Sequence, residues 1–229
     1  MQPNNNFRNV AELRTGDVLL CHCDPSKDFV AKKINDVTGS EYCHAAIYYG
    51  DSLAAESRAK NGIKKGKIEK VKASDLVSRY GHIAVVRQPD AWVSDNRVSA
   101  LKLFIDKVVE NQVKYNFEGI LKFKNSKELH EFHIYEKLVS YFDDDLIPEP
   151  TDKHQYFCSE FVCDCFIAVG FLQPSAAILY QSNTFSPGDL SKDPTFGTFW
   201  GYLTDRNNYS VSDNDHFYYA TPYDVLFDV

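Results

Sequence analysis

The chain has 229 residues, 44% of them hydrophobic and 25% charged, with a formal net charge of −7. That length suits one domain with a full hydrophobic core, or one domain plus an insertion. The negative balance excludes phosphate backbones as the main ligand, because nonspecific nucleic-acid affinity rests on Lys and Arg, so no nucleic-acid partner is expected.

Residues 1–15 read as a loosely ordered arm leading to a turn at Thr15-Gly16-Asp17. Val18 to Cys23 then reads as a strand. Pro25 to Val37 has helical apolar spacing at Phe29, Val30, Ile34 and Val37, with Thr38-Gly39 as a stop. Cys43 to Tyr49 is a second strand, Gly50-Asp51-Ser52 a turn, and Leu53 to Ser57 a third strand. Ile63 to Val71 alternates loosely as a solvent-edged strand. Ser74 to Arg79 fits a short helix and His82 to Arg87 a compact apolar strand. Ser94 is a natural N-cap for a long helix carrying Val98, Leu101, Ile105 and Val108 on one face. Asn125 with Glu128 resembles a capping box, and Leu129, Phe132, Val139 and Phe142 continue a helical stripe to about Asp143. Asp143-Asp144-Asp145 and Pro148-Glu149-Pro150 close it. Residues 115–152 are expected to be a helical insertion, either covering a site or simply packing. Ser159 to Val169 forms another helix closed by Gly170, and Ser186-Pro187-Gly188-Asp189-Leu190 turns into a short one. The aromatic tail from Phe196 to Val229 is expected to add edge strands. The pattern as a whole is α+β, in a single domain over residues 1–229.

Six cysteines do not make a disulfide scaffold at this size, and all six read as thiols in a reducing compartment. The polar start lacks the layout of a secretory signal, and no apolar run is long enough to span a bilayer. The expectation is a cytoplasmic protein, signal-independent export aside.

Two segments carry chemistry. Tyr42-Cys43-His44-Ala45-Ala46-Ile47-Tyr48-Tyr49-Gly50 places a histidine near the start of a strand. Tyr156-Phe157-Cys158-Ser159-Glu160-Phe161-Val162 places a cysteine where a helix begins. A thiol is a useful nucleophile as thiolate, and the unpaired N–H groups and dipole of a first helical turn favour that charge. An imidazole can take the proton and return it to a leaving group, and a third group fixes its tautomer.

In order, Gly16-Asp17-Val18-Leu19-Leu20, the His44 segment, Cys158-Ser159-Glu160-Phe161-Val162 and Ser186-Pro187-Gly188-Asp189-Leu190 resemble the circularly permuted NlpC-type papain-like cysteine hydrolases, in particular the YiiX-like branch. The resemblance spans most of residues 13–191, leaving 115–152 and the tail beyond 191 uncovered. It implies a small antiparallel sheet packed against helices, with Cys158 as nucleophile, His44 as base and an acidic residue on the next strand, here Glu56. Cys43 departs from it, standing where a small polar residue is expected. No cofactor is implied.

Glu56 can be tested by register. A turn over Tyr48–Ser52 that is odd in length and centred on Gly50 puts His44 directly opposite Glu56, with both side chains on one face. A two-residue turn at Gly50-Asp51 would pair His44 with Ser57 and point Glu56 away.

Other readings compete residue by residue. A cysteine at a helix start is often a small buried hydrophobe, and His44 alone could be a satisfied core histidine. Tyr156 and Ser159 are candidate oxyanion or substrate donors, packing being the other use of Tyr156. Cys21-His22-Cys23 with Cys43-His44 invites zinc, but no second chelating pair of the usual spacing appears, so no metal is expected. Lys60, Lys64, Lys65, Lys67, Lys70 and Lys72 form a basic hairpin, read as a solvated edge that discourages strand pairing; an anionic lipid surface is the other reading.

The expected function is therefore cleavage of an amide (peptide-like) or acyl ester bond by a Cys-His-Glu thiolate mechanism through an acyl-enzyme. The alternatives are a lipid or protein acyltransferase using the same three residues, and a catalytically silent binding module on the same fold.

Overall fold

The first strand, β1 (Val18–His22), pairs antiparallel with β2 (Tyr42–Gly50), Cys21 lying opposite His44. Alternate β1 residues face opposite sides of the sheet. Val18 and Leu20 join the cluster that contains Leu101, Ile105, Phe161 and Phe166, whereas Leu19 and Cys21 join the one containing Leu76 and Val77. Both faces are buried, which is why this strand is continuously apolar rather than alternating. These observations come from a computed structural model describing residues 6–23, 29–60, 65–143, 153–173, 176 and 178–226.

The remaining strands are β3 (Leu53–Lys60), β4 (Lys65–Lys72), β5 (Ile83–Arg87), β6 (Lys114–Tyr115), β7 (Gln155–Tyr156) and β8 (Thr198–Leu203). All eight form one sheet in the order β7-β6-β4-β3-β2-β1-β5-β8. The helices are α1 (Phe29–Thr38), α2 (Ala73–Arg79), α3 (Asp95–Glu110), α4 (Phe117–Phe142), α5 (Cys158–Ala168), α6 (Pro187–Lys192) and the short α7 (Tyr223–Leu226). The fold is α+β, as the pattern predicts.

Several local expectations hold. Ser94 caps α3 by accepting from the Arg97 N–H at 3.2 Å. Ser186 caps α6, Pro187 standing at the first helical position as its fixed φ favours. The tail contributes β8, an edge strand on β5.

Others are corrected. The arm is not loose where it is described: Phe7 bridges to Tyr202, and Arg8 forms an ion pair with Asp224 at 2.6 Å. Asn125 is no cap. The cap of α4 is Asn116, which accepts from the Gly119 N–H at 2.8 Å, and the helix runs through Asn125 without interruption. Along α4, Ile120 and Phe123 are buried while Leu129, Phe132 and Phe142 are exposed, so the expected stripe does not face the core. The lysine-rich hairpin is not a bare edge, since β6 pairs with β4 at Lys67↔Lys114 and Lys70 meets Asp106 of α3 at 2.7 Å. The expected helix start at Pro25, the strand start at Ile63 and the acidic and proline stops after Asp143 lie outside the described residues.

Candidate active site

Cys158 is the first residue of α5, with Phe157 as N-cap. Glu160 fixes that start, two residues downstream of the thiol, by accepting the Phe157 N–H at 3.2 Å. The expected helix began at Ser159; the bond from Glu160 draws Cys158 into the first turn. Glu160 is itself held by Lys153 at 3.1 Å, and Lys153 also meets Asp164 at 3.2 Å and donates to Ser182 at 2.6 Å. Burial leaves the Glu160 and Asp164 carboxyls above the usual carboxylate range, the Lys153 ammonium offsetting only part of it. This ionic cluster clamps the segment that enters α5.

His44 sits on β2, and its ring Nε2 lies 2.7 Å from Oε2 of Glu56 on β3. The Cys158 thiol lies close enough to the same ring for His44 to lower its pKa. Glu56 is wholly buried, and its second oxygen accepts from the Arg79 guanidinium of α2 at 2.6 Å. Tyr80 stacks on the imidazole, with ring centroids 5.7 Å apart and an interplanar angle of 15°. Four side chains thus gather here, Cys158, His44, Glu56 and Arg79, drawn from α5, β2, β3 and α2.

The hairpin geometry that allows this differs from the expected one. The connection turns at Asp51 and Ser52, both with positive φ (53° and 63°), as a type I′ turn requires. The ladder passes from Tyr48↔Ala54 to Gly50↔Leu53, so Tyr49 is an extra residue in a bulge. The span from Tyr48 to Ala54 is odd in length but centred on Asp51, not Gly50. Glu56 therefore faces Ala46 rather than His44. Parity is preserved, and His44 and Glu56 share a face as diagonal neighbours.

The charges respond to this arrangement. Burial by itself would lower the His44 pKa, but the bonds to Cys158 and Glu56 outweigh it and raise it to about 9. Burial would raise Glu56, yet His44 and then Arg79 bring it down to about 2. Cys158 is likewise opposed by burial, but His44 and the backbone N–H groups of Ala45 and Ser159 lower its pKa. Each of the three shifts favours the charged form of its group: the thiolate, the imidazolium and the carboxylate. The other free thiols, Cys21, Cys163 and Cys165, are all buried, and burial pushes each of them well up.

Two residues expected as oxyanion or substrate donors are placed differently. The Ser159 hydroxyl donates to the Phe185 carbonyl at 2.8 Å, so it is the Ser159 backbone N–H, not its side chain, that meets the sulfur. The Tyr156 ring is fully buried against Phe161, and its phenol hydrogen-bonds Asp164 in the Lys153 cluster, so it serves packing.

Cysteine usage also differs from expectation. Cys23 and Cys43 are joined as a disulfide, with Cα atoms 5.8 Å apart. The bridge lies beside His44 in an apolar cluster with Ile34, Ile120, Phe123 and Phe157. Among the described residues, no group of three His, Cys, Asp or Glu side chains is gathered as a metal ion would need. No helix there is long and apolar enough to cross a membrane.

The thiol is only 2% exposed, and it borders a narrow slot between α1, α4 and the start of α5. Over 195 residues the chain is 26% identical to YaeF of Escherichia coli strain K12, named a probable lipoprotein peptidase, an alignment covering 78% of this chain and 63% of that relative. The chain thus spans less than two thirds of that relative's length. No family model matches the chain.

Sequence reasoning named Cys158, His44 and Glu56, which the structure brings together, but not Arg79 and Tyr80. The available signal was weak: a basic residue ending a short helix is ordinary C-terminal complementation of the dipole. Only the packing of α2 on the sheet brings that guanidinium to Glu56.

Proposed function

We propose that this chain is a cysteine hydrolase of permuted papain-like, YiiX-like architecture that cleaves an amide (peptide-like) or acyl ester bond through an acyl-enzyme. The observation that carries the reading is the His44–Glu56 bond at 2.7 Å with the Cys158 thiol beside the same ring, the thiol pKa lowered and the imidazole pKa raised. The similarity to a relative named as a peptidase supports the amide side of it.

The Cys158 sulfur attacks the carbonyl carbon, forming a C–S bond as the carbonyl π electrons move to oxygen. The N–H of Cys158, at a helical position with no intrahelical acceptor, faces the developing oxyanion. The His44 imidazolium gives its proton to the leaving nitrogen or oxygen as that bond breaks. Neutral His44 then takes a proton from water, which attacks the thioester and releases the acid and the thiol. Glu56 keeps the ring oriented and favours its charged form, and Arg79 keeps Glu56 ionised and fixed.

Intact-mass measurement during turnover of peptide and acyl-ester substrates tests this. A substrate-derived adduct on Cys158 that decays in water is expected, with none in Cys158→Ala. Transfer of the adduct to an added amine or alcohol in preference to water would make the chain an acyltransferase. A Cys158 that neither acylates nor reacts faster than the other free thiols would reduce the chain to a binding module.

A further inference from the structure

Helix α4 is held to the rest of the fold along one side. Phe123 is buried, Lys127 meets Asp189 at 2.6 Å, the His130 ring reaches the Leu179 carbonyl at 3.2 Å and Lys137 donates to Gln181 at 2.7 Å. The opposite side carries Leu121, Asn125, Glu128, Phe132, Tyr135, Val139 and Phe142, spaced four and three residues apart in strict alternation, and all seven are exposed. That mean spacing of 3.5 residues is the seam of a coiled coil, whose side chains enter holes on a facing helix. Packing on this domain already uses the other side of α4, so it does not account for the second stripe.

Phe132, Tyr135 and Phe142 are 79%, 75% and 75% exposed. An aromatic side chain buries roughly 150–250 Å², so these three present roughly 400 Å², the size of the largest apolar patch on a typical monomer. With Leu121, Leu129 and Val139 added, two such faces reach roughly the 1,000 Å² that a specific interface needs.

The flanking charges fit a second copy in one orientation. On one flank Lys122, Leu129 and Glu136 recur every seven residues, and on the other Lys124, Glu131 and Leu138. Both lysines thus lie in the N-terminal half of the stripe and both acids in the C-terminal half. Parallel copies would set Glu131 beside the second copy's Glu136, a like-charge contact. Antiparallel copies, related by a two-fold axis, set each lysine half against an acidic half. The lysines are committed only to exposed pairs within the helix, Lys122 with Glu118 at 3.6 Å and Lys124 with Glu128 at 3.9 Å, which are weak. A lipid surface fits less well, because Glu128 lies in the stripe and Glu131 and Glu136 border it, where anionic headgroups would repel them.

We propose that the outer face of α4 is a homodimer interface, on which two copies of this chain pair their α4 helices antiparallel. The inference goes beyond the hydrolase reading and does not depend on it. Ile120 and Phe123, which border the slot beside Cys158, are buried and lie off this stripe, so pairing leaves the thiol accessible.

The experiment is sedimentation equilibrium of the full chain across about 1–100 μM, the range of a modest interface. The expected result is a concentration-dependent mass approaching twice 26.1 kDa. Phe132→Gln with Tyr135→Gln should weaken the association at least about tenfold. Because both positions are exposed, circular dichroism and the rate of Cys158 alkylation should be unchanged. Lys122→Glu with Lys124→Glu should weaken it about fivefold, and adding Glu131→Lys and Glu136→Lys should restore it. A monomer at every concentration overturns the proposal, as does a dimer that the Phe132 and Tyr135 changes leave intact. Failure of the four-residue swap to restore association overturns the antiparallel pairing. Wild-type monomer that sediments with phosphatidylcholine–phosphatidylglycerol vesicles, and loses this with Phe132→Gln and Tyr135→Gln, assigns the face to lipid and overturns the dimer.

Discussion

Glu56 reaches His44 across a diagonal of the β2–β3 ladder: its Cα partner is Ala46, yet its Oε2 stands 2.7 Å from the His44 Nε2. The bulge at Tyr49 sets this offset, and the Arg79 guanidinium on the other carboxylate oxygen holds the side chain there. A carboxylate approached from both sides by cations, and fully buried, has little freedom to turn away.

Cys158→Ala is expected to abolish turnover, and His44→Ala to lower kcat by at least ~10³-fold, since members of such a unit fail together rather than additively. Far-ultraviolet circular dichroism should be unchanged for Cys158→Ala, which removes only a sulfur at a helix start. Retention of most activity by either variant contradicts the mechanism.

Activity should trace a bell against pH. The ion pair requires Cys158 deprotonated and His44 protonated. The acid limb therefore reports thiol protonation and the alkaline limb loss of the imidazolium proton near pH 9. A profile whose alkaline limb falls near the ordinary histidine value of 6.5 would mean that the ring is not stabilised as drawn.

Arg79 is a positioning residue. Arg79→Gln should lower kcat about tenfold with KM little changed, and Arg79→Lys should recover part of the loss, because an ammonium supplies charge without the planar fork. Glu56→Gln should cost more than Arg79→Gln and less than His44→Ala, since the amide still accepts one bond but carries no charge. The alkaline limb should move toward lower pH in Glu56→Gln, as the imidazolium loses its counter-charge. An unmoved limb would place the third role elsewhere.

Limiting fluorescent iodoacetamide at neutral pH should label Cys158 ahead of Cys21, Cys163 and Cys165. Its thiol pKa is lowered by His44, while theirs are raised by burial. Peptide mapping decides the order, and even labelling would remove the case for an activated thiol.

The Cys23–Cys43 bridge spans 20 residues and should contribute about 3 kcal/mol through the unfolded chain. Cys43→Ser, or mild reduction, is expected to lower Tm by several degrees. Alkylation of the denatured, unreduced protein should find four free thiols, Cys21, Cys158, Cys163 and Cys165. Finding six would return the chain to the reduced state its composition suggests.

Much of this site is local, and so legible in the residues. Strand periodicity set His44 on β2 and Glu56 on β3, and the helix-start pattern set Cys158 at the head of α5. Only parity, not exact register, was needed to put His44 and Glu56 on one face. The turn at Asp51-Ser52 and the extra residue at Tyr49 together shift the pairing by two residues, which keeps the face; the turn without the bulge would have put Glu56 on the other one. The positive φ at Asp51 and Ser52 was not readable, because neither residue type demands it as glycine would.

The tertiary structure decided what depends on distant chain segments meeting. Asn116 capped α4 where Asn125 looked suitable, because a polar residue in mid-helix shows the same local pattern as a cap. Cys23 met Cys43 because the β1–β2 pairing brings their backbones to disulfide distance; nothing in cysteine count or spacing encodes that pairing. Arg79 reached Glu56, and Ser159 and Tyr156 turned to other partners, because helix packing fixes which side chains can touch. The sequence by itself determined the chemistry available at each element. The fold determined which of those groups share a hydrogen bond, since contacts across more than a hundred residues arise only when burial brings the elements together.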